Sequence, residues 1–155
     1  MSPSGWIILI AAVLVLGGVV SMLVVTIPIA NKMFTLMFTR ETPGKWGREN
    51  SCPENAEHSV MFNAGLDWGA ENSAYKKEVQ IVNDGLRLFG EYYDFGFDKC
   101  VIILPGRAES LLYSYYFGEP YKQKGYNVLV IDQRAHGMSE GSQSGVGITE
   151  TGDAV

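Results

Sequence analysis

Residues 6–27, WIILIAAVLVLGGVVSMLVVTI, form a run of 22 residues without one charged side chain. At about 1.5 Å rise per residue such a run makes a helix of about 33 Å, enough to cross the hydrocarbon core of a bilayer. Fourteen of these residues are Ile, Leu or Val. At roughly -0.3 to -0.6 kcal/mol each they contribute on the order of -4 to -8 kcal/mol toward insertion. A buried core helix is usually shorter and carries a polar side. A cleaved leader normally has a basic start and a shorter apolar stretch. No Lys or Arg precedes this run, and Trp6 suits an interfacial anchor. The reading is one transmembrane helix within residues 1–30, with the lipid bilayer as its partner.

The twelve basic and seventeen acidic residues all lie from Lys32 onward. Lys32, Arg40, Lys45 and Arg48 follow the span and no basic residue precedes it, so the positive-inside rule places the remainder in the cytoplasm. The net charge of -5, without a visible Lys/Arg cluster, argues against a nucleic-acid partner. Cys52 and Cys100 are far apart and lack metal-ligand or redox spacing. They read as two separate thiols, with a disulfide between them left open. With only His58 and His136 added, no metal site is expected. Neither G-x-G-x-x-G nor G-x-x-x-x-G-K-[ST] follows a strand, so no nucleotide and no other cofactor is expected.

Residues 31–75 read as a juxtamembrane linker, broken by Pro43, Gly44, Gly47 and Pro53. A short helix over 59–68 would give Met61, Phe62, Leu66 and Trp68 a shared apolar side. Past Tyr75 the pattern alternates through KKEVQIVN, turns at Asp84-Gly85, and alternates again through LRLFGEYYD, which predicts a β-hairpin. CVIIL at 100–104 and NVLVID at 127–132 are continuous apolar runs suited to parallel strands buried on both faces. Between them Leu112, Tyr113, Tyr116 and Phe117 fall near helical spacing before Gly118 and Pro120 interrupt. Strand, crossover helix and strand make a right-handed βαβ unit. The fold class is α/β, an antiparallel hairpin leading into a parallel sheet and preceded by one transmembrane helix.

Read in order, VNDGLRLFGEYYD, VIILPGRAES, GYNVLVIDQRAHGMSEG and GITETGDAV resemble the opening of an α/β-hydrolase domain. The string D-x-R-x-H-G-x-S at 132–139 is the most specific element. The resemblance is to the branch containing monoglyceride lipases, lysophospholipases and serine-aminopeptidase-type hydrolases. It implies that residues 76–155 are the amino-terminal part of such a domain, ending before the family's nucleophile, acid and histidine. In such proteins the loop after the third strand supplies a backbone N–H to the oxyanion hole. The matching positions are Pro105, Gly106 and Arg107, so the resemblance assigns the oxyanion site to Arg107 and Gly106. Pro105 stands where many relatives have His.

Gly137-Met138-Ser139-Glu140-Gly141 fits the nucleophile-elbow pattern G-x-S-x-G. An elbow needs a strand running almost directly into the serine and a helix starting straight after it. Here Gln133, Arg134, Ala135 and His136 intervene, and four glycines follow without a helical stripe. Ser139 therefore reads as a structural loop residue and His136 as a turn hydrogen-bonder, leaving no catalytic residue in this chain. Thr149 reads as the N-cap of a following helix.

The expectation is a membrane-anchored hydrolase of acyl ester or amide bonds, with an acyl ester or peptide as substrate of the complete protein. The alternative is a non-catalytic single-pass membrane protein or an inactive gene fragment. The anchor generates a direct expectation. The chain should stay with membranes through alkaline carbonate extraction. Replacing both Leu14 and Val15 by Arg, at about 2.5–3.5 kcal/mol each, should release it to the supernatant.

Overall fold

The computed structural model describes residues 2–48 and 55–153. The chain divides into two units, one ending at Met37 and one beginning at Phe38. The first is helix α1 (Pro3–Phe38), 36 residues with no buried side chain. It is long and apolar enough to cross a membrane. The helix runs on through Pro28 rather than stopping at the end of the apolar run. Proline costs the ladder one N–H donor, and the residues beyond it, Ile29, Ala30, Met33 and Leu36 among them, keep the chain helical.

In the second unit, helix α2 (Ala56–Glu71) begins at Asn55, whose side chain accepts the Glu57 N–H at 2.9 Å. Its buried residues are Phe62, Gly65, Trp68 and Gly69. The predicted apolar side was thus right at Phe62 and Trp68, whereas Met61 stays exposed. The stretch read as a linker therefore contributes Trp68 to the core.

Strands β1 (Lys76–Asn83) and β2 (Leu86–Tyr93) pair antiparallel, with Asn83 opposite Leu86. The two residues between them, Asp84 at φ 49° and Gly85 at φ 76°, make the left-handed two-residue connection that matches strand twist. Strands β3 (Lys99–Ile103) and β4 (Tyr126–Ile131) pair parallel, Val101 opposite Val128. The sheet order is β1-β2-β4-β3. The two apolar runs thus lie side by side and point the same way.

The crossover differs from the expected single helix. A 3-10 helix (Leu111–Phe117) comes first, and helix α3 (Gly118–Gln123) starts at the glycine expected to end it. Pro120 lies in the first turn of α3, where a backbone N–H has no helical acceptor, so the proline starts the helix instead of breaking it.

The core forms on one face of the sheet. Trp68, Tyr93, Leu111, Tyr115, Val128 and Val130 cluster there, with Phe95, Val101 and Ile103 against them. The Trp68 ring lies 4.8 Å from Tyr93, tilted by 47°, and 6.2 Å from Tyr115. The opposite face carries Val79, Ile81, Leu88, Ile102, Leu129 and Ile131 along an open groove. Ile81 is 55% and Ile102 49% exposed. The strands were expected to be buried on both faces. Among the described residues only one face is covered, because α2, α3 and the 3-10 segment all pack on the same side.

Candidate functional site: the turn after β3

Beyond β3 the chain passes Pro105, whose carbonyl accepts the Gln133 side chain at 2.9 Å. It then makes a tight turn in which the Glu109 N–H reaches the Gly106 carbonyl at 3.3 Å. Ala108, in the turn's third position, has φ 67°, the left-handed conformation of a type II turn. The predicted site residues Gly106 and Arg107 occupy the first and second positions. The Gly106 N–H donates to Glu109 Oε2 at 2.8 Å, and a Cβ on Gly106 would lie 2.7 Å from that oxygen. The Arg107 guanidinium lies 6.0 Å from the centre of the Phe38 ring.

His136 holds this turn from below. It is fully buried, and its Nε2 accepts the Ala108 N–H at 3.1 Å. Nδ1 lies 2.9 Å from the Arg134 carbonyl. Because Nε2 accepts, the neutral ring carries its proton on Nδ1 and donates it to that carbonyl. Trp46 stacks on the imidazole at 4.8 Å, with 13° between the planes. Burial, helped by the Arg40 charge, lowers the His136 pKa from its ordinary value of 6.5, against the pull of the Arg134 carbonyl.

Ser139 is buried with both functions of its hydroxyl engaged. Oγ donates to the Asp132 carbonyl at 2.6 Å and accepts the Phe89 N–H at 2.9 Å. The residues after it are irregular, so no helix amino terminus faces it. Its geometry clasps the loop after β4 to β2.

Asp132, at the end of β4, organises the surroundings. Its Oδ1 accepts the Leu111 N–H at 2.7 Å, and its Oδ2 accepts the Met138 N–H at 2.9 Å. Arg48 adds Nε at 2.9 Å and Nη2 at 2.9 Å. Gly137 sits at φ 51°, and a Cβ there would lie 2.1 Å from Asp132 Oδ1, so only glycine fits. Arg48 Nη1 also reaches Glu91 at 3.1 Å, and Lys76 stands 3.6 Å from the same carboxylate. Tyr93 and Tyr115 donate their hydroxyls to Glu91 Oε2. Burial first, and then Glu91, pushes the Tyr115 phenol far above its ordinary value.

None of Trp46, Phe38 and Glu91 was singled out from the sequence, and Arg48 was named only as a basic residue flanking the apolar run. Glu91 carried a signal: it is a carboxylate two residues from Tyr93, on the same face of an alternating strand, and such a position demands a cation. Arg48 and Trp46 carried none, because they sit in a glycine- and proline-broken stretch without periodicity.

The segment expected to start a helix at Thr149 forms a 3-10 turn (Glu150–Asp153) instead. The buried Glu150 carboxylate gathers the N–H groups of Gly145 at 2.7 Å and Gly147 at 2.8 Å, and the Thr149 hydroxyl bonds Glu150 at 3.2 Å rather than capping. Arg134 clamps Asp153 at 2.7 Å, and Asn83 reaches the same carboxylate at 2.9 Å. The end of the GITETGDAV string, residues 154–155, lies outside the described residues, as does Cys52 of the open disulfide question; Cys100 is a free, exposed thiol.

No protein-family model matches the chain, and no curated protein does. Among solved structures, an esterase from Pyrococcus furiosus is similar, with a TM-score of 0.50 at 36% identity, covering 56% of this chain and 35% of that one. A second crystal form of that esterase gives 0.48 at 36% identity, covering 56% and 34%. An α/β-hydrolase from Vibrio vulnificus gives 0.46 at 22% identity, covering 70% and 36%. The fold is α/β-hydrolase-like. The chain spans about a third of the length of these structures.

Arg48→Ala leaves the buried Glu91 and Asp132 short of their main cation and should cost about 3–5 kcal/mol, read as a drop in denaturant midpoint in detergent micelles. The pH dependence has a defined sign. An unfolded chain protonates His136 near 6.5, whereas the folded one resists until lower pH. The stability from the neutral buried ring is complete above 6.5 and lost as pH falls below it. The Tm should therefore decline between pH 7 and 5, and an NMR titration should show the His136 ring still neutral below pH 6.5.

Proposed function

We propose that the chain forms the amino-terminal part of a membrane-tethered serine hydrolase that cleaves acyl ester or amide bonds. It belongs, in this reading, with the monoglyceride lipase, lysophospholipase and serine-aminopeptidase group. The observation that carries the reading is the turn at 106–109, set at the carboxyl end of a parallel strand and braced by His136 from the loop after β4. In open α/β sheets, ligands bind at the carboxyl ends of the strands. The likeness to the Pyrococcus furiosus esterase supports the same reading. The open apolar face of the sheet supports the further step that additional elements of the hydrolase cover it.

In the proposed reaction a serine from the remainder of the domain attacks the acyl carbonyl, a histidine takes its proton, and the oxygen gains negative charge. The Arg107 N–H meets that charge. The Gly106 N–H, already given to Glu109, fixes the turn. A rigid donor is worth more than a mobile one, because nothing has to reorganise as the charge develops. The anchor would hold this site close to acylated lipids on the cytoplasmic side of the bilayer.

Two experiments test the reading. Native membranes are treated with a serine-reactive phosphonate, and the labelled peptide is mapped. Label on a serine other than Ser139 is expected; a folded protein without label would overturn the reading. Arg107→Pro then isolates the donor, because proline suits the second position of a type II turn and removes only the N–H. Hydrolysis should fall about 10²–10³-fold, while Arg107→Ala, which keeps the N–H, should stay within a few-fold of the parent.

A further inference from the structure

Residues 38–48, which begin at the last residue of α1, are tied down along the segment. The Phe38 carbonyl accepts the Ser144 N–H at 2.9 Å, and Thr39 bridges Gln143. Arg40 spends its guanidinium on carbonyls, donating to Ser139 at 3.1 Å and Gly137 at 2.8 Å. Lys45 closes the loop on the Thr39 carbonyl at 2.6 Å. Trp46, itself at φ 59°, accepts the Gly137 N–H at 2.8 Å. Arg48 ends the segment on Asp132.

This segment meets the turn at 106–109 in two separate places. The Phe38 ring lies beneath the Arg107 guanidinium at 6.0 Å. The Trp46 ring backs the imidazole whose Nε2 holds the Ala108 N–H. Arg107 and Ala108 are the two central residues of the turn, and the Ala108 amide is the one held through a ring of the strap. We infer that residues 38–48 are a positioning strap for the oxyanion turn, with Trp46 acting through His136 on the Ala108 amide. The inference rests on reading that turn as the oxyanion site. It also assigns a task to the segment between the apolar helix and the fold, which makes the precision of the turn depend on residues beside the membrane anchor.

The chemistry explains why such bracing is needed. Ala108 is held in a left-handed conformation that an L side chain disfavours. Without a fixed acceptor for its N–H the peptide between Arg107 and Ala108 can rotate, and the turn that sets the neighbouring Gly106–Arg107 peptide loses its fixed shape. His136 supplies that acceptor only while its ring plane is held, and Trp46 lies parallel to that plane at stacking distance.

The test is amide hydrogen exchange, resolved by NMR, on the full 155-residue chain in detergent micelles. Trp46→Ala is expected to speed exchange at Ala108 by at least tenfold while Val128 and Val130 in β4 remain protected. Trp46→Phe, which restores a stacking ring, should return the rate to within about threefold of the parent. His136→Ala should reproduce the Trp46→Ala rate, and the double variant should add nothing. If Trp46→Ala also loses protection in β4, Trp46→Leu, which keeps apolar volume without a ring face, takes its place in the same comparison. Unchanged Ala108 exchange in a folded Trp46 variant, with His136→Ala still accelerating it, overturns the strap. Phosphonate labelling reports separately on the hydrolase reading, since exchange at Ala108 needs no catalysis.

Discussion

Asp132 is the junction on which the second unit depends. Its carboxylate is wholly buried and receives the Leu111 amide from the crossover, the Met138 amide from the loop after β4, and the Arg48 guanidinium. Hydrogen bonds to a charged group are worth about 1.5–3 kcal/mol each, but the more telling fact is the cost of leaving such a charge unmatched. Three segments remote in sequence must arrive together, and Gly137 must lack a side chain for the carboxylate to fit. Glu91 repeats the pattern one strand away, sharing Arg48 and adding two tyrosine hydroxyls. The polar interior is thus a second core beside the aromatic one, and it fixes the loops where the aromatic cluster fixes the layers.

The sheet was largely legible because its signals are local. Alternation in KKEVQIVN and LRLFGEYY, the Asp84-Gly85 dipeptide and the β-branched runs each report on one element without needing a partner. The crossover was misread for a definable reason: Pro120 was taken as a terminator when its position relative to Gly118 made it a first-turn residue. The strap was illegible because its order comes from outside. Arg40 bonds carbonyls of the 137–139 loop and Arg48 bonds carboxylates on β2 and just after β4, and no periodicity marks a cation for partners 43 to 99 residues away. Ser139 and His136 show the complementary case. The letters of a catalytic motif were present, and the spacing from strand to serine, rather than the letters, carried the information.

The two faces of the sheet divide the labour of the unit. The contacts described for the turn at 106–109 lie at the strand ends, beside the covered face, where Tyr115 and Leu111 pack against Val128 and Val130. The uncovered face contributes apolar surface without polar anchors. Among the described residues, the acceptors and rings that meet the turn come from residues 38–48 and 105–139.

The separation of 84 residues between Arg48 and Asp132 sets an order of events during synthesis. At about 5–20 residues per second, roughly 4–17 s pass between the emergence of the arginine and that of its carboxylate. By then the apolar helix has already left the ribosome and is available to the insertion machinery. The strap thus spends its first seconds without its later bonds, and the unit closes around it only when β4 and the loop after it have been made. Delay in translation between these two codons lengthens that interval in proportion.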